Sequence, residues 1–424
     1  MEMIRKKKKR VLFLCGSMSM GGTEKNVVTI AKQLDRDRFE PEVYCVYGGG
    51  PLEEQLKTNS IPYEVGSPGR IFEPKIFRRT YRFLQRGDYD IIHCFGYPVI
   101  YLGTLLGAVL GIKVIVAIQA LDTWKHRMDI MTDKALKPFV DLYIADSEGA
   151  RHFAMEQQGL LPERIMTIYD GVDTASLLPT ADIRALKKDI GINDLSAVVG
   201  VVGRLQDEHK GQSYFIRAIP FILKEFPQTH FLIVGDGADR GSLESLAGKT
   251  LMREHVSFTG TRTDLANMFS VIDILVIPSV QWESITKTML EALAMAKPII
   301  ATRIGDVGEI LIDGVTGLLI PPREPLEIAK AVTYLLNHPD HSRELGRRGR
   351  EVIFERKLTL EMSVKIIEDT YEKLLSANKR SSRSLIEKSR VGFLFIIFCL
   401  ASLTYSLYKA IANIFRYLKS EDKT

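Results

Sequence analysis

The chain alternates two kinds of segment over most of its length. Short apolar runs rich in β-branched residues, such as RVLFLC at 10–15 and DILVIPS at 273–279, each lead into a loop. Amphipathic stretches such as TEKNVVTIAKQL at 23–34 follow, with Thr23 as a candidate N-cap. Because strands that alternate with helices form parallel sheets covered by helices, the pattern predicts an α/β fold.

The alternation occurs in two series that are separated by a polar segment at 179–197. We therefore predict two doubly wound domains, at 1–185 and 186–358. A late amphipathic helix, TLEMSVKIIEDTYEKLL, lies within 359–378 and should pack back on the first domain. Two doubly wound domains facing each other across a cleft would bind ligands at the carboxyl ends of their strands.

The composition excludes several classes of protein. The 424 residues are 46% hydrophobic, which is enough for two cores of ordinary size. A net charge of +5, spread along most of the chain, leaves no long basic stripe for nucleic acid. The four cysteines, Cys15, Cys45, Cys94 and Cys399, show neither metal-ligand spacing nor a CxxC pair. We therefore expect reduced thiols in the cytosol, no metal site and no nucleic-acid partner.

The two ends of the chain differ in character. IRKKKKR at 4–10 is either a solvated terminus or a basic patch for anionic lipid, and we expect no cleavable signal peptide there. VGFLFIIFCLASLTYSLY at 391–408 is 18 residues without a charge, long enough to cross the hydrocarbon core of a membrane. We predict a basic linker at 379–390 and a membrane helix at 391–415, with its N-terminal side cytoplasmic. An interfacial helix and a helix that docks on a partner are the alternatives.

Two loops at predicted strand ends carry residues suited to a phosphate-bearing ligand. Gly21 and Gly22 end the loop between the first strand and the first helix, where backbone amides are accessible at a helix N-terminus. Arg204 and Lys210 follow a strand in VVGRLQDEHKG, and two cations there would neutralise a leaving diphosphate. The alternatives are a tight turn for the glycines and ordinary surface charge for the cations.

The segment WESITKTMLEALAMAKP at 282–298 contains two glutamates, Glu283 in a loop after a buried strand and Glu291 on a helix. Ser284 to Lys287 would open that helix with amides that have no intrahelical acceptor. The two carboxylates can then flank a ligand whose phosphates contact these amides. Alternatively, one glutamate caps the helix and the other lies on its solvated face.

The motifs of the chain resemble those of the retaining glycosyltransferases of family 4, also called glycosyl transferases group 1. The resemblance covers residues 10 to about 375. Its most specific part is the pair of glutamates with GRLQDEHKG upstream. The segments that carry the resemblance are MGGTEKNVVTIAKQL, DIIHCFG, YIADSEGAR, IYDGVD, VGRLQDEHKG, FLIVGDG, VSFTG, WESITKTMLEALAMAKPIIAT and GDVGEILIDGVTGLLIPP.

The resemblance implies the GT-B fold, two Rossmann-like domains that face each other across a cleft. It implies a nucleotide-sugar donor bound mainly by the second domain, retention of anomeric configuration, and no essential metal or other cofactor. Glu283 would bind the sugar hydroxyls and Glu291 the ribose hydroxyls. The remaining roles carried over are the donor diphosphate for Arg204 and Lys210, phosphate-facing amides for Ile285, Thr286 and Lys287, and close approach to donor and acceptor for Gly21 and Gly22.

The sequence also departs from the family pattern. Where members have small residues or glycine in an E-G-F-G stretch, this chain has residues 284–287, which leaves the donor sugar open. Phe95 replaces a second histidine found two places after the one that matches His93, and Gln119 stands where many members carry a histidine. His93 and Gln119 are therefore candidate contacts to the acceptor or the sugar. A histidine satisfied at a strand end is the alternative for His93.

We predict a membrane-associated enzyme that moves a sugar from a nucleoside-diphosphate sugar to an acceptor at the cytoplasmic face of the cell membrane. The apolar tail points to a lipid-linked acceptor, such as a polyprenyl-diphosphate saccharide in cell-surface polysaccharide synthesis. Glu283, Arg204 and Lys210 are the expected catalytic residues, and the leaving diphosphate takes the acceptor proton. A nucleotide-sugar epimerase on the same fold and a non-enzymatic scaffold are the alternatives.

Overall fold

The computed structural model describes residues 7–69, 73–119, 127–249, 253–281 and 283–377. These residues fall into two compact units. The first unit holds the described residues up to 145, those at 150–167 and those from 364 onward, and the second unit holds 146–149 and 168–363.

The first unit is built on a parallel sheet, as the alternating pattern predicts. The order of its strands across the sheet is β3-β2-β1-β4-β5-β6-β7. Residues 11–15 of the first strand are all buried, as expected for a sheet covered on both faces. The strands are β1 (Lys9–Cys15), β2 (Phe39–Cys45), β3 (Tyr63–Val65), β4 (Ile91–Cys94), β5 (Lys113–Ile118), β6 (Leu142–Ala145) and β7 (Ile165–Thr167).

The second unit is built on another parallel sheet, whose strand order is β10-β9-β8-β11-β12-β13. The strands are β8 (Val198–Val202), β9 (His230–Val234), β10 (Val256–Gly260), β11 (Ile274–Ile277), β12 (Ile299–Thr302) and β13 (Leu318–Ile320). In β9, Phe231 and Ile233 pack in one core cluster while Leu232 and Val234 pack in another. Both faces of this sheet are therefore covered. The order reverses between β8 and β11, the point where such sheets bind ligands.

Most of the helices connect successive strands, and the last three follow the last strand. They are α1 (Gly22–Gln33), α2 (Glu53–Thr58), α3 (Pro74–Gly87), α4 (Val99–Leu110), α5 (Arg127–Leu136), α6 (Glu148–Gln158), α7 (Ile183–Asp189), α8 (Asp207–Lys210), α9 (Gln212–Glu225), α10 (Arg240–Lys249), α11 (Leu265–Val271), α12 (Lys287–Ala294), α13 (Val307–Ile310), α14 (Pro325–Asn337), α15 (Pro339–Glu355) and α16 (Leu360–Ser376). The N-cap predicted at Thr23 is wrong, because α1 begins at Gly22 and Gly21 is its N-cap. Gly21 has no side chain to cap with, and its extended backbone alone makes the turn into the helix.

The division between the units differs from the predicted boundaries at 185/186 and 358/359. The chain passes into the second unit at residue 168 and leaves it after residue 363. The reason is that the segment after β7 carries apolar side chains as well as charges. Val172, Leu177 and Leu186 are buried in a core cluster of the second unit.

Helix α16 belongs to the first unit from residue 364 onward. Tyr371 is fully buried there, and Glu368 pairs with Arg38 at 2.9 Å. The described residues include no helix that is long and apolar enough to cross a membrane. The linker predicted at 379–390 and the membrane helix predicted at 391–415 lie outside the described residues.

Candidate functional site

The loops after β8 and β9 pack tightly together at the carboxyl end of the second unit's sheet. Leu205 donates its amide to the carbonyl of Asp236 at 2.9 Å. Gly235 has a φ of +137°, and a Cβ there would lie 1.9 Å from the carbonyl oxygen of Gly203. Only glycine fits at this close approach, so the turn after β9 fixes the path of the loop that carries Arg204 and Lys210.

The loop after β8 is also held against the end of β11. The amide of Val280 donates to the carbonyl of His209 at 2.9 Å. Gly211 ends the short helix α8 with a φ of +64°, and a Cβ there would lie 2.2 Å from the carbonyl oxygen of Pro278. Lys210 is thereby brought to the loop that follows β11, where Glu283 lies.

Lys210 and Glu283 form an ion pair in the second unit. The Nζ of Lys210 lies 2.6 Å from Oε1 of Glu283, and Ser279 Oγ donates to Oε2 of the same carboxylate at 2.8 Å. Ser279 is itself held by Thr302, whose Oγ1 donates to the Ser279 carbonyl at 2.6 Å. Both oxygens of Glu283 are therefore engaged, and the carboxylate is fixed in orientation.

Arg204 lies on the surface, in the same loop after β8 as Lys210. Its side chain is exposed, and within the described residues its guanidinium forms no ion pair. Its carbonyl accepts a hydrogen bond from Nε2 of the buried Gln212 at 2.8 Å, which fixes the backbone. Arg204 thus presents an unpaired positive charge from a rigid loop, the arrangement that binds an anionic group.

Helix α12 provides backbone donors in the same unit. Thr286 is its N-cap, and Thr286 Oγ1 accepts from the amide of Met289 at 3.2 Å. The amides of Thr286, Lys287 and Thr288 lie at the start of the helix and have no intrahelical acceptor. The helix that was predicted to begin at Ser284 begins at Lys287 instead. The reason is that the side chain of Ile285 is buried in the core, so the residues before Lys287 form a loop.

Glu291 lies in the second turn of α12, four residues after Lys287 and thus on the same face of the helix. Its side chain is half-buried. Glu283 belongs to the loop before the helix. The two glutamates therefore lie on either side of the start of α12, Glu283 before it and Glu291 within the helix.

A group of buried and half-buried carboxyls, which the sequence analysis did not identify, adjoins the backbone of Glu283. The amide of Asp306 donates to the Glu283 carbonyl at 3.0 Å, and the side chain of Asp306 accepts from the hydroxyl of Ser147. Burial, together with the charges of Asp170 and Asp306, raises the pKa of Asp146 to about 8. Burial also raises the pKa of Asp306. The position of Asp146 directly after β6, at a carboxyl strand end, was the signal that could have identified it.

The predicted site residues of the first unit are Gly21, Gly22, His93 and Gln119, and their surroundings differ. A Cβ at Gly22 would meet no atom within 4 Å, so packing does not require glycine there, whereas one at Gly21 would lie 2.2 Å from the carboxylate of Glu24. The space in front of Gly22 is open to a ligand. Gln119 follows β5 directly, and its Oε1 is buried with no hydrogen-bond partner among the residues that the structure describes.

His93 lies in the core of the first unit. Its ring is 1% exposed, and its Nδ1 is 2.7 Å from the hydroxyl of Tyr371 on α16. The rings of Phe13 and Phe95 lie beside it, and burial lowers the pKa of His93 to about 3. A neutral histidine that joins β4 to α16 accounts for this position. Its Nε2 is buried and has no hydrogen-bond partner among the described residues, and the contact of His93 to the acceptor or the sugar stays a prediction.

Among the described residues, no group of three or more histidine, cysteine, aspartate or glutamate side chains is arranged to hold a metal ion. The positive charges at the carboxyl end of the second unit's sheet include those of the Arg204 and Lys210 side chains. These side chains and the amides of α12 can together receive an anion of high charge.

Known families match both units. The model named Glycosyltransferase Family 4 matches residues 20–176, and the model named Glycosyl transferases group 1 matches residues 196–338. A phosphatidyl-myo-inositol mannosyltransferase of Mycobacterium leprae is 29% identical over 286 residues, which are 66% of this chain and 72% of that protein. An alpha-D-kanosaminyltransferase of Streptomyces kanamyceticus is 33% identical over 157 residues, 37% of this chain and 40% of that protein.

Among solved structures, the Anabaena protein HepE in complex with UDP has a similar fold. The TM-score is 0.77 at 22% identity, and the match covers 86% of this chain and 100% of that one. At this identity the likeness concerns the fold, two Rossmann-like domains with parallel sheets.

Proposed function

We propose a specific reaction for this chain, which belongs to the group 1 glycosyltransferases of family 4, has the GT-B fold and uses a nucleotide sugar as donor. In the proposed reaction a sugar passes from a nucleoside-diphosphate sugar to a lipid-linked saccharide, with retention of anomeric configuration. The observation that carries the proposal is the arrangement of two cations, a fixed carboxylate and free helix amides in one unit.

The diphosphate of the donor binds to Arg204 and to the first-turn amides of α12. Arg204 is available because it has no ion-pair partner among the described residues. Lys210 shares its charge between Glu283, 2.6 Å away, and the phosphate. As the bond from the anomeric carbon to the phosphate breaks, negative charge develops on the diphosphate, and these donors stabilise it more strongly than in the ground state.

Retention follows from attack on the face that the diphosphate leaves. The acceptor hydroxyl oxygen forms a bond to the anomeric carbon while the carbon–phosphate oxygen bond breaks. The proton of the hydroxyl passes to a phosphate oxygen of the departing diphosphate. Glu283 is disfavoured as a nucleophile, because Lys210 and Ser279 engage both its oxygens. Its role is to accept hydrogen bonds from the hydroxyls of the donor sugar.

The acceptor is proposed to be lipid-linked, with the reaction at the cytoplasmic face of the cell membrane. Two observations support this. The uncharged run at 391–408 is long enough to cross a membrane. A relative that is similar over 66% of this chain is named as a mannosyltransferase for phosphatidyl-myo-inositol, a lipid. The proposed place in metabolism is cell-surface polysaccharide synthesis.

The reaction is proposed to need no metal ion or other cofactor, because Arg204, Lys210 and the amides of α12 supply the positive charge. The test is a transfer assay with the full-length chain, a panel of nucleoside-diphosphate sugars and a polyprenyl-diphosphate monosaccharide. We expect a glycosylated lipid of retained configuration and an unchanged rate in EDTA. Restoration of an EDTA-inhibited rate by Mg²⁺ or Mn²⁺ would contradict the metal-free mechanism.

The same transfer assay tests the catalytic roles proposed for Arg204 and Lys210. Arg204→Ala and Lys210→Ala should each lower the rate by about 100-fold or more, the usual effect of removing one such donor. Lys224→Ala, which removes an exposed lysine from α9, is the matched control and should leave the rate unchanged. If the chain epimerises the donor sugar in the absence of acceptor, the proposed transferase is wrong and the chain is a nucleotide-sugar epimerase.

A further inference from the structure

Two carboxylates of the second unit, those of Asp207 and Asp239, accept hydrogen bonds from backbone amides on either side of Lys210. Oδ2 of Asp239 lies 2.7 Å from the amide nitrogen of Asp207, and Oδ1 of Asp207 lies 2.7 Å from the amide nitrogen of Ser213. A carboxylate that accepts from a backbone amide at such a distance forms a charge-assisted hydrogen bond, the stronger kind. The segment 207–213 is therefore anchored at both ends, with Lys210 between the two anchors.

These bonds supply acceptors to the two helices of this segment, whose own N-cap residues provide none. The N-cap of α8 is Gln206, whose side chain forms no capping bond, and the N-cap of α9 is Gly211, which has no side chain. The first amides of a helix have no intrahelical acceptor. Asp239 provides an acceptor for the first amide of α8, and Asp207 provides one for the second residue of α9. The four-residue helix α8, which ends at Lys210, is thus held by an acceptor from outside it.

Asp239 belongs to the turn after β9, which packs closely against the loop after β8. The amide of Asp239 donates to the carbonyl of Leu205 at 3.2 Å, and its carbonyl accepts from the amide of Leu243 in α10 at 3.0 Å. A Cβ at Gly237 would lie 2.2 Å from the carbonyl oxygen of Leu205, so the two segments are in close contact. The backbone of Asp239 is therefore fixed, and its carboxylate is directed at the amide of Asp207.

The chemistry of these carboxylates indicates an indirect role. A carboxylate repels a phosphate, so direct contact of Asp207 or Asp239 with a diphosphate is unfavourable. What their hydrogen bonds determine is where the cations of the loop lie, and a misplacement of about 1 Å is enough to impair such groups. We propose that Asp239 is a positioning residue, which acts through Asp207 to place Lys210 and Arg204 for the donor phosphates. The donor site rests on the proposed function, but the anchoring of the loop does not.

The first measurement needs no ligand. Hydrogen exchange of the full-length chain, followed by mass spectrometry, reports how often backbone amides open. Residues 205–213 should exchange at least about fivefold faster in Asp239→Ala than in the wild type, the usual effect of one lost hydrogen bond. Asp239→Asn keeps an oxygen acceptor and should exchange much like the wild type. Equal exchange of this segment in Asp239→Ala and the wild type would overturn the proposal.

The second measurement is calorimetry with UDP, GDP, ADP and dTDP. Asp239→Ala should bind the diphosphate preferred by the wild type about tenfold more weakly, and Asp239→Asn about threefold more weakly or less. If the charge of Asp239 acted on the phosphates directly, both variants would bind more tightly, and that result would overturn the proposal. Asp182→Ala removes a capping carboxylate from α7 in the same unit and is the matched control, with unchanged affinity.

A double-mutant cycle shows whether Asp239 acts through the cation. In a chain that carries Lys210→Ala, the further change Asp239→Ala should lower the affinity by about threefold or less, because the cation that Asp239 places is gone. An undiminished tenfold loss in that background would overturn the positioning role. Asp207→Ala removes the other anchor and should repeat the results of Asp239→Ala in both measurements, so the test remains decisive if Asp239→Ala does not fold.

The two proposals fail in different ways. A wild-type chain that binds none of the four diphosphates would contradict the donor site and, with it, the positioning role. If the wild type binds one of them and Asp239→Ala binds it equally well, only the positioning role is refuted.

Discussion

At the scale of single residues, the ion pair of Lys210 and Glu283 changes how the two glutamates are understood. Glu283 holds Lys210 at 2.6 Å and is itself held by Ser279. The cation expected for the phosphate and the carboxylate expected for the sugar are thus direct neighbours. In the absence of donor they neutralise each other, so the arrival of a phosphate must compete with Glu283 for Lys210.

This competition predicts opposite effects of two similar substitutions on binding of a free nucleoside diphosphate. Glu291→Gln should weaken binding about tenfold or more, because a hydrogen bond to a charged acceptor contributes about 1.5–3 kcal/mol. Glu283→Gln should bind the diphosphate as well as the wild type or better, because Lys210 is released. Calorimetry with both variants measures this, and equal losses of affinity would refute the division of roles.

The raised pKa of Asp146 predicts how the stability of the folded chain depends on pH. Its pKa in the folded chain is about 8, against an ordinary value of 3.8, and the carboxyls of Asp170 and Asp306 with the hydroxyls of Ser147 and Ser284 face it. Between pH 4 and 8 the unfolded chain releases this proton while the folded chain retains it. The wild type therefore loses stability as the pH rises through this range, by at most about 1.4 kcal/mol per pH unit.

Asp146→Asn removes this titration and keeps the shape of the protonated acid. Its free energy of unfolding, relative to the wild type, should rise from pH 4 to pH 8 and level off above that. Asp194→Asn, at an exposed position of the same unit, is the control and should show little change with pH. Chemical denaturation at several pH values provides the measurement. A constant difference across the range would show that Asp146 is already ionised in the folded chain.

At the scale of elements, the start of α12 links stability to ligand binding. Thr286→Ala should lower the free energy of unfolding by about 1 kcal/mol, because Met289 loses its capping acceptor. Asp182→Ala is a matched control, since Asp182 caps α7 by accepting from the amides of Arg184 and Ala185. Both variants should lose similar stability, but only Thr286→Ala should weaken binding of a nucleoside diphosphate. Equal affinities in calorimetry would remove the α12 amides from the donor site.

The elements themselves were largely predictable, because hydrophobic periodicity is a local signal. The strands at the ends of which Arg204, Lys210 and Glu283 lie were all predicted from apolar runs. The start of α12 was misplaced because Ile285, read as part of the helix, is instead buried in the core before it. The partnership of Lys210 with Glu283 and the grouping of Asp146 with Asp306 were not predictable, since each joins residues far apart in the chain.

At the scale of the molecule, the second unit consists of the short segment 146–149 and one continuous segment, residues 168–363. Residues 364–377 return to the first unit, where Tyr371 is fully buried and bonded to His93. The part of the chain that precedes the apolar run at 391–408 is therefore folded into the first unit up to the end of α16. Removal of the run should leave both sheets and the proposed donor site intact.

This separation makes the membrane proposal testable on its own. A chain that lacks residues 391–424 should bind a nucleoside diphosphate like the full-length chain but should no longer sediment with membranes after a salt wash. The physical reason is that an uncharged run of 18 residues provides the apolar area for insertion, whereas basic residues alone bind lipid through screened charges. The control replaces Lys6, Lys7 and Lys8 with glutamine and keeps the run, and it should still sediment. If the shortened chain remains in the membrane pellet while the lysine variant is released, the basic segment at 4–10 is the anchor and the proposed membrane helix is refuted.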